Sequence, residues 1–264
     1  MKLSDELFLE LFNGDELKIS SPKMTPFKSL PEHRQTMILP VDGESYYDQW
    51  KASMLMGHSS KYRAEIRPSK ASAMLRHLGI APNCATSDVV VCEKTNKGDS
   101  SRVTFIKLSN PNGWSAETTI GKSFGEIHSH VLNASNELVM PKPEIIVDRC
   151  IKAVDGMERI GAISFREDNN LDRHPDDWIP ETYESGDIFL RFERQGIMGM
   201  PEQKGFVFTI QTYFADLSEP WRAEKVLKGI QLTGDKSYAR DVLASPRGER
   251  IIELLSNYSR KEVR

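Results

Sequence analysis

The chain of 264 residues holds three cysteines, Cys84, Cys92 and Cys150, and no two are spaced as a CxxC pair. Such an odd, scattered set excludes a disulfide framework and a thiolate zinc site, and reads as reduced, structural thiols. No run approaches the roughly 18 consecutive apolar residues that span a bilayer. The apolar stretch from Leu7 to Phe12 has Asp5, Glu6 and Glu10 around it, where a secretory leader would be basic. Charge of one sign is also missing, since 35 Lys and Arg against 38 Asp and Glu leave −3, too weak a field to gather phosphates. The expectation is a cytoplasmic protein with neither membrane nor nucleic acid as a partner. Common catalytic signatures are lacking too: there is no Gly-rich phosphate loop ending in Lys-Ser/Thr, no GxSxG and no HExxH.

What is present is globular: 39% hydrophobic and 28% charged residues, in a length that allows one large domain or two small ones. Apolar spacing predicts a short helix over 3–12, then a proline-bearing extended arm over 20–40. Further helices are predicted over 44–56, 68–78, 116–129 and 143–155, and after Pro220 over 221–230, 238–244 and 249–258. Val-, Ile-, Phe- and Thr-rich runs predict five strands, over 88–93, 102–108, 159–165, 187–194 and 204–214. The short polar connectors at 94–100 and 195–203 make the first and last pairs antiparallel. The fold class is therefore α+β: a largely antiparallel sheet, helices on one face and a helical C-terminal extension. The expected divisions are an N-terminal helix and arm over 1–40, a core over 41–217 and a packed helical extension over 218–264.

Candidate chemistry is sparse. His128 and His130, in Gly125-Glu-Ile-His-Ser-His-Val131, form a local HxH cluster. In extended backbone both rings point to one side and can serve a metal, whereas in a helix they diverge. The alternative is a partly buried histidine bonded to a carbonyl. His33, His58, His77 and His174 stand isolated among polar neighbours and read as surface residues. In Ile188-Phe-Leu-Arg-Phe-Glu-Arg-Gln195, alternation puts Ile188, Leu190, Phe192 and Arg194 on one face and Phe189, Arg191, Glu193 and Gln195 on the other. Those charges must be solvated, paired with one another, or neutralised by an anionic ligand. In the last strand Phe206, Phe208, Ile210, Thr212 and Phe214 share a face, either as core or as the wall of a flat apolar pocket.

These segments together resemble a known pattern. Asn110-Pro-Asn-Gly-Trp114, Gly121 to Val131, Arg159-Ile-Gly-Ala-Ile-Ser-Phe165, Phe189-Leu-Arg-Phe-Glu-Arg-Gln195 and Gly205 to Tyr213 occur in the order and spacing of the haem-dependent oxidative N-demethylases, a PAS-like haem family. The resemblance covers about residues 24–217, and its most specific parts are the Leu-Arg-Phe-Glu-Arg-Gln run and the phenylalanine strand after it. It implies a PAS-like core holding haem b, which activates O₂ to oxidise a small amine or amino acid with electrons from a separate reductase. That reductase would carry NAD(P)H-derived electrons through flavin or an iron–sulfur centre. It implies His128 as axial iron ligand with His130 second, and Arg191 and Arg194 on the haem propionates. It further implies Phe206, Phe208 and Trp114 as pocket walls, and Glu193 as the group that orients an arginine or faces a cationic amine. Tyr213, with Thr209 and Gln211 on its strand face, is a candidate to hydrogen-bond bound oxygen. The family usually follows its Ile-His with a proline-containing turn, where this chain has Ser129-His130-Val131. The alternatives are a haem-binding sensor or a non-catalytic binding domain, and a homo-oligomer is compatible with each.

Overall fold

The computed structural model describes residues 5–14, 16–17, 24–39, 59–84, 86–95, 101–109, 114–128, 143–166, 188–233 and 246–260. In chain order the elements are α1 (Asp5–Leu9), β1 (Phe12–Asn13), β2 (Glu16–Leu17), β3 (Thr25–Pro26), α2 (Ser59–Tyr62), β4 (Arg63–Glu65), α3 (Ala71–His77), β5 (Asp88–Lys94) and β6 (Ser101–Lys107). They continue with α4 (Ala116–Thr119), α5 (Phe124–His128), α6 (Pro143–Lys152), β7 (Met157–Arg166), β8 (Phe189–Met200), β9 (Gly205–Asp216), α7 (Pro220–Thr233) and α8 (Pro246–Ser259). The helices expected over 44–56 and 238–244 lie outside the described residues.

Strand alternation dictates the sheet. Seven strands pair in the order β3-β7-β8-β9-β5-β6-β4, every neighbour antiparallel. The five long strands match the predicted ones, and β3 and β4 are short edge additions of two and three residues. β8 and β9 form the longest ladder, joined by a 3₁₀ turn at Pro201–Gln203 that closes on Lys204 in the left-handed region (φ 54°). Left-handed backbone is what reverses a chain this tightly.

Because opposite residues in an antiparallel ladder share a face, the register assigns every side chain. The back face carries Leu190, Phe192, Arg194, Met198 and Met200 of β8 with Gly205, Val207, Thr209, Gln211 and Tyr213 of β9. Its apolar residues pack in one cluster with α1, α7 and α8 (Phe8, Leu11, Val226, Leu255) and in another with α3 (Met74, Leu75). Arg191, Glu193, Gln195 and Ile197 of β8 and Phe206, Phe208, Ile210 and Thr212 of β9 lie on the front face. α4, α5 and α6 cover it through Ala116, Phe124, Val147 and Cys150. The helices therefore occupy both faces of the sheet, which corrects the expectation of one. The amphipathic run of α3 is too short to announce its side, and the sheet is apolar on both surfaces, so each must be covered.

Two local features place the front helices. Ser123 and Glu126 form a capping box on α5: the Glu126 carboxylate accepts from Ser123 N at 2.7 Å and Ser123 Oγ accepts from Glu126 N at 3.1 Å. The predicted single helix over 116–129 is thus two short ones, broken at Gly121 (φ 82°). α6 runs against β8 at Gly199, where a Cβ would come within 2.5 Å of the Cys150 carbonyl oxygen. Only glycine permits that approach.

Candidate functional site on the front face

The back-face polar cluster pairs its charges, and among the described residues Arg34 Nε is a buried atom of it without a hydrogen-bond partner. Arg194, wholly buried, directs all five guanidinium N–H groups to protein acceptors: Nε to Glu158, Nη1 to Met37 O (3.2 Å) and Gln211 Oε1 (3.2 Å), Nη2 to Arg34 O (3.0 Å) and Thr36 O (2.6 Å). Glu158 is shared with Arg34, which also pairs with Glu10 at 2.9 Å. Two guanidiniums thus meet two carboxylates. Thr209 donates to Met37 O at 2.8 Å, and Gln211 bonds both Leu39 N (2.7 Å) and Leu39 O (3.0 Å). This face of β8 and β9 is where residues 34–39 of the N-terminal arm are fastened. Tyr213 stacks on Phe192 at 5.3 Å and is buried, which pushes its hydroxyl up to about 12.

The front-face polar row is open at one end. Arg191 Nη2 donates to Glu193 Oε1 at 2.7 Å, Gln195 Nε2 donates to Glu193 Oε2 at 2.8 Å, and Arg159 Nε donates to Gln195 Oε1 at 2.5 Å. The Gln195 amide is fixed by this, because only one orientation gives the carboxylate a donor and the arginine an acceptor. Arg159 sits opposite Gln195 in the β7–β8 register. Burial pulls its guanidinium below the ordinary value, with Glu193 and Cys150 opposing. Its partner is a neutral amide, and Nη1 and Nη2 make no hydrogen bond among the described residues. Beside Glu193 stands Thr212, 1% exposed, whose Oγ1 has no hydrogen-bond partner among the described residues. Leaving such a hydroxyl unmet costs about 1–3 kcal/mol.

Next to this row the face is apolar and incompletely covered. Phe208, Phe214 and Ile197 are half-buried, while Phe206 is buried edge-on to Phe124 at 5.9 Å. Trp114 and Ile127 pack into the same cluster as Phe206 and Phe208. Cys92 and Cys150 are buried there as well, and burial pushes the Cys150 thiol up to about 11, so neither is a thiolate near neutrality.

The structure therefore brings Trp114, Arg191, Glu193, Phe206 and Phe208 onto one face, and puts Arg194 and Tyr213 behind the sheet. His128 closes α5, one turn after Phe124; its side chain and the whole of His130 lie outside the described residues. Arg159 and Thr212 are the front-face polar groups to which the sequence alone assigns no role. Their signal was a charge and a hydroxyl inside apolar alternation, and only the strand register shows that they share a face.

A family model, haem-dependent oxidative N-demethylase, alpha subunit-like, matches residues 44–233. The chain belongs to this family. The match takes in the five long strands and runs to the end of α7, beyond the expected boundary at 217. No curated protein matches the chain. The family's name brings haem with it, and the front face fits such a group. Half-buried aromatic rings offer flat apolar surface, and unbonded guanidinium nitrogens suit a propionate. Among the described residues no group of three or more His, Cys, Asp or Glu could hold a bare metal ion. A haem iron, by contrast, needs only one or two axial ligands. No helix among the described residues is long and apolar enough to cross a membrane.

Proposed function

We propose that this protein is a haem-dependent amine oxidase of the N-demethylase type, with haem b against the front face of a PAS-like core. The observation that carries the reading is the unequal treatment of the two sheet faces. The back cluster has matched its charges and saturated Arg194, leaving Arg34 Nε unpaired, while the front row has two arginines to one carboxylate and, among the described residues, no hydrogen-bond partner for Arg159 Nη1 and Nη2 or for Thr212 Oγ1, on the face of half-buried Phe208. In this reading haem, when bound, would supply O₂ activation, and His128, with His130 the second candidate, would hold its iron. Phe206, Phe208 and Trp114 wall the ring. Arg191, held by Glu193 in a charge-assisted bond of 2.7 Å, presents a fixed cation to a propionate. Glu193, which accepts from Arg191 and Gln195, can hold a cationic amine near the reacting position. Arg194 and Tyr213 act from behind as positioning residues, by fixing β8 against β9.

The overall reaction is R₂N–CH₃ + O₂ + 2e⁻ + 2H⁺ → R₂NH + CH₂O + H₂O, in which the N-methyl carbon is oxidised and O₂ reduced. The electrons come from a partner reductase that draws on NAD(P)H through flavin or an iron–sulfur centre. Haem-loaded protein given a chemical reductant and a panel of secondary and tertiary methylamines is expected to consume O₂ only when an amine is present and to release formaldehyde. Reversible gas binding with no amine-dependent uptake and no aldehyde or N-oxide would replace this reading with that of a sensor.

A further inference from the structure

Arg159 differs from the other deeply placed arginines. Arg194 and Arg34 meet Glu158, and Arg191 meets Glu193, but among the described residues the Gln195 amide is the one hydrogen-bond partner of Arg159. That amide fixes Nε and leaves the Nη1–Nη2 edge of the fork, the edge that binds a carboxylate through two parallel hydrogen bonds, without a protein acceptor. Burial outweighs the attraction of Glu193 on this half-buried guanidinium, and an arriving anion offsets that cost. On the same face, across β8, Thr212 adds a buried hydroxyl opposite Glu193 that has no hydrogen-bond partner among the described residues.

We propose that Arg159, assisted by Thr212, forms a carboxylate-binding position on the front face. The proposal rests on the reading that this face is the ligand site, and it adds the chemistry one end of the ligand must present. A carboxylate can come from two sources, a haem propionate or the amine substrate itself. In the second case the substrate class is the N-methyl amino acid rather than the simple dialkylamine.

The test compares the full-length protein with Arg159→Gln and Thr212→Val, after thermal unfolding has shown that each variant folds. Haem and haem dimethyl ester are titrated by absorbance, and N-methylglycine and dimethylamine by calorimetry on both haem-free and haem-loaded protein. If a propionate is bound, Arg159→Gln weakens haem by about tenfold or more and leaves the ester unchanged. If a substrate carboxylate is bound, haem affinity is unchanged, N-methylglycine weakens by about tenfold or more, and dimethylamine does not move. Thr212→Val shifts the same ligand in the same direction by a smaller factor. The proposal is overturned if Arg159→Gln folds and alters neither haem nor N-methylglycine binding. Should the wild type bind no haem, the proposed function fails, yet N-methylglycine binding to the haem-free protein still decides the carboxylate position.

Discussion

Lys107 shows how one side chain can carry a pH dependence for the whole chain. It is 1% exposed on β6, and its ammonium donates to Ser87 O at 2.9 Å and to Ser109 Oγ, with Asp88 nearby. Burial pulls its pKa from 10.5 down to about 8, while Asp88 and Cys84 pull the other way. The folded state therefore disfavours the charged form. Between about pH 8 and 10.5 the unfolded chain binds more protons than the native one, so this residue's contribution to stability rises with pH. Below that window the penalty is fully present, and above it the contribution of the residue vanishes. The unfolding free energy of the wild type relative to Lys107→Met is expected to climb by a few kcal/mol across the window in urea titrations. A flat difference would show that Lys107 is not held against its charge.

At the scale of elements, the arm and the β8–β9 ladder depend on Arg194. Three of its five bonds tie residues 34–37 to the sheet, Thr209 adds a fourth at Met37, and Gln211 extends the fastening to Leu39. Arg194→Met strips these donors and leaves Glu158 to Arg34 alone. A loss of about 3–5 kcal/mol is expected, with faster tryptic cleavage at Lys28 and Arg34. Stability within about 1 kcal/mol of the wild type and unchanged cleavage would contradict this role. The β8 alternation read from the sequence already placed Arg194 and Arg191 on opposite faces. The resemblance treated them as a propionate-binding pair, and the ladder does not let both reach one ligand. The long strands were legible because each is a run of seven residues or more rich in Val, Ile, Phe or Thr. The two- and three-residue strands β3 and β4 have no period to read, and their pairing is set by tertiary contact. Gly121 was passed over as a break because an isolated glycine inside a helical pattern is often tolerated. Arg159 was legible as a motif residue, but its place beside Gln195 is a matter of register across 36 positions.

For the whole molecule, the sheet separates two tasks. The back face holds the chain together through α1, α3, α7, α8 and a charge-balanced cluster. The front face carries the half-buried aromatic surface, and the proposed function assigns the ligand to it. Membership of the haem-dependent oxidative N-demethylase family supports haem as that ligand. The most direct test is a titration of haem into the full-length protein, followed by absorbance before and after dithionite and then carbon monoxide. The account predicts a Soret band that saturates at one haem per chain and shifts on reduction and again with carbon monoxide. Absence of any band at saturating haem would contradict it, and the front face would then be the surface of a haem-free binding domain.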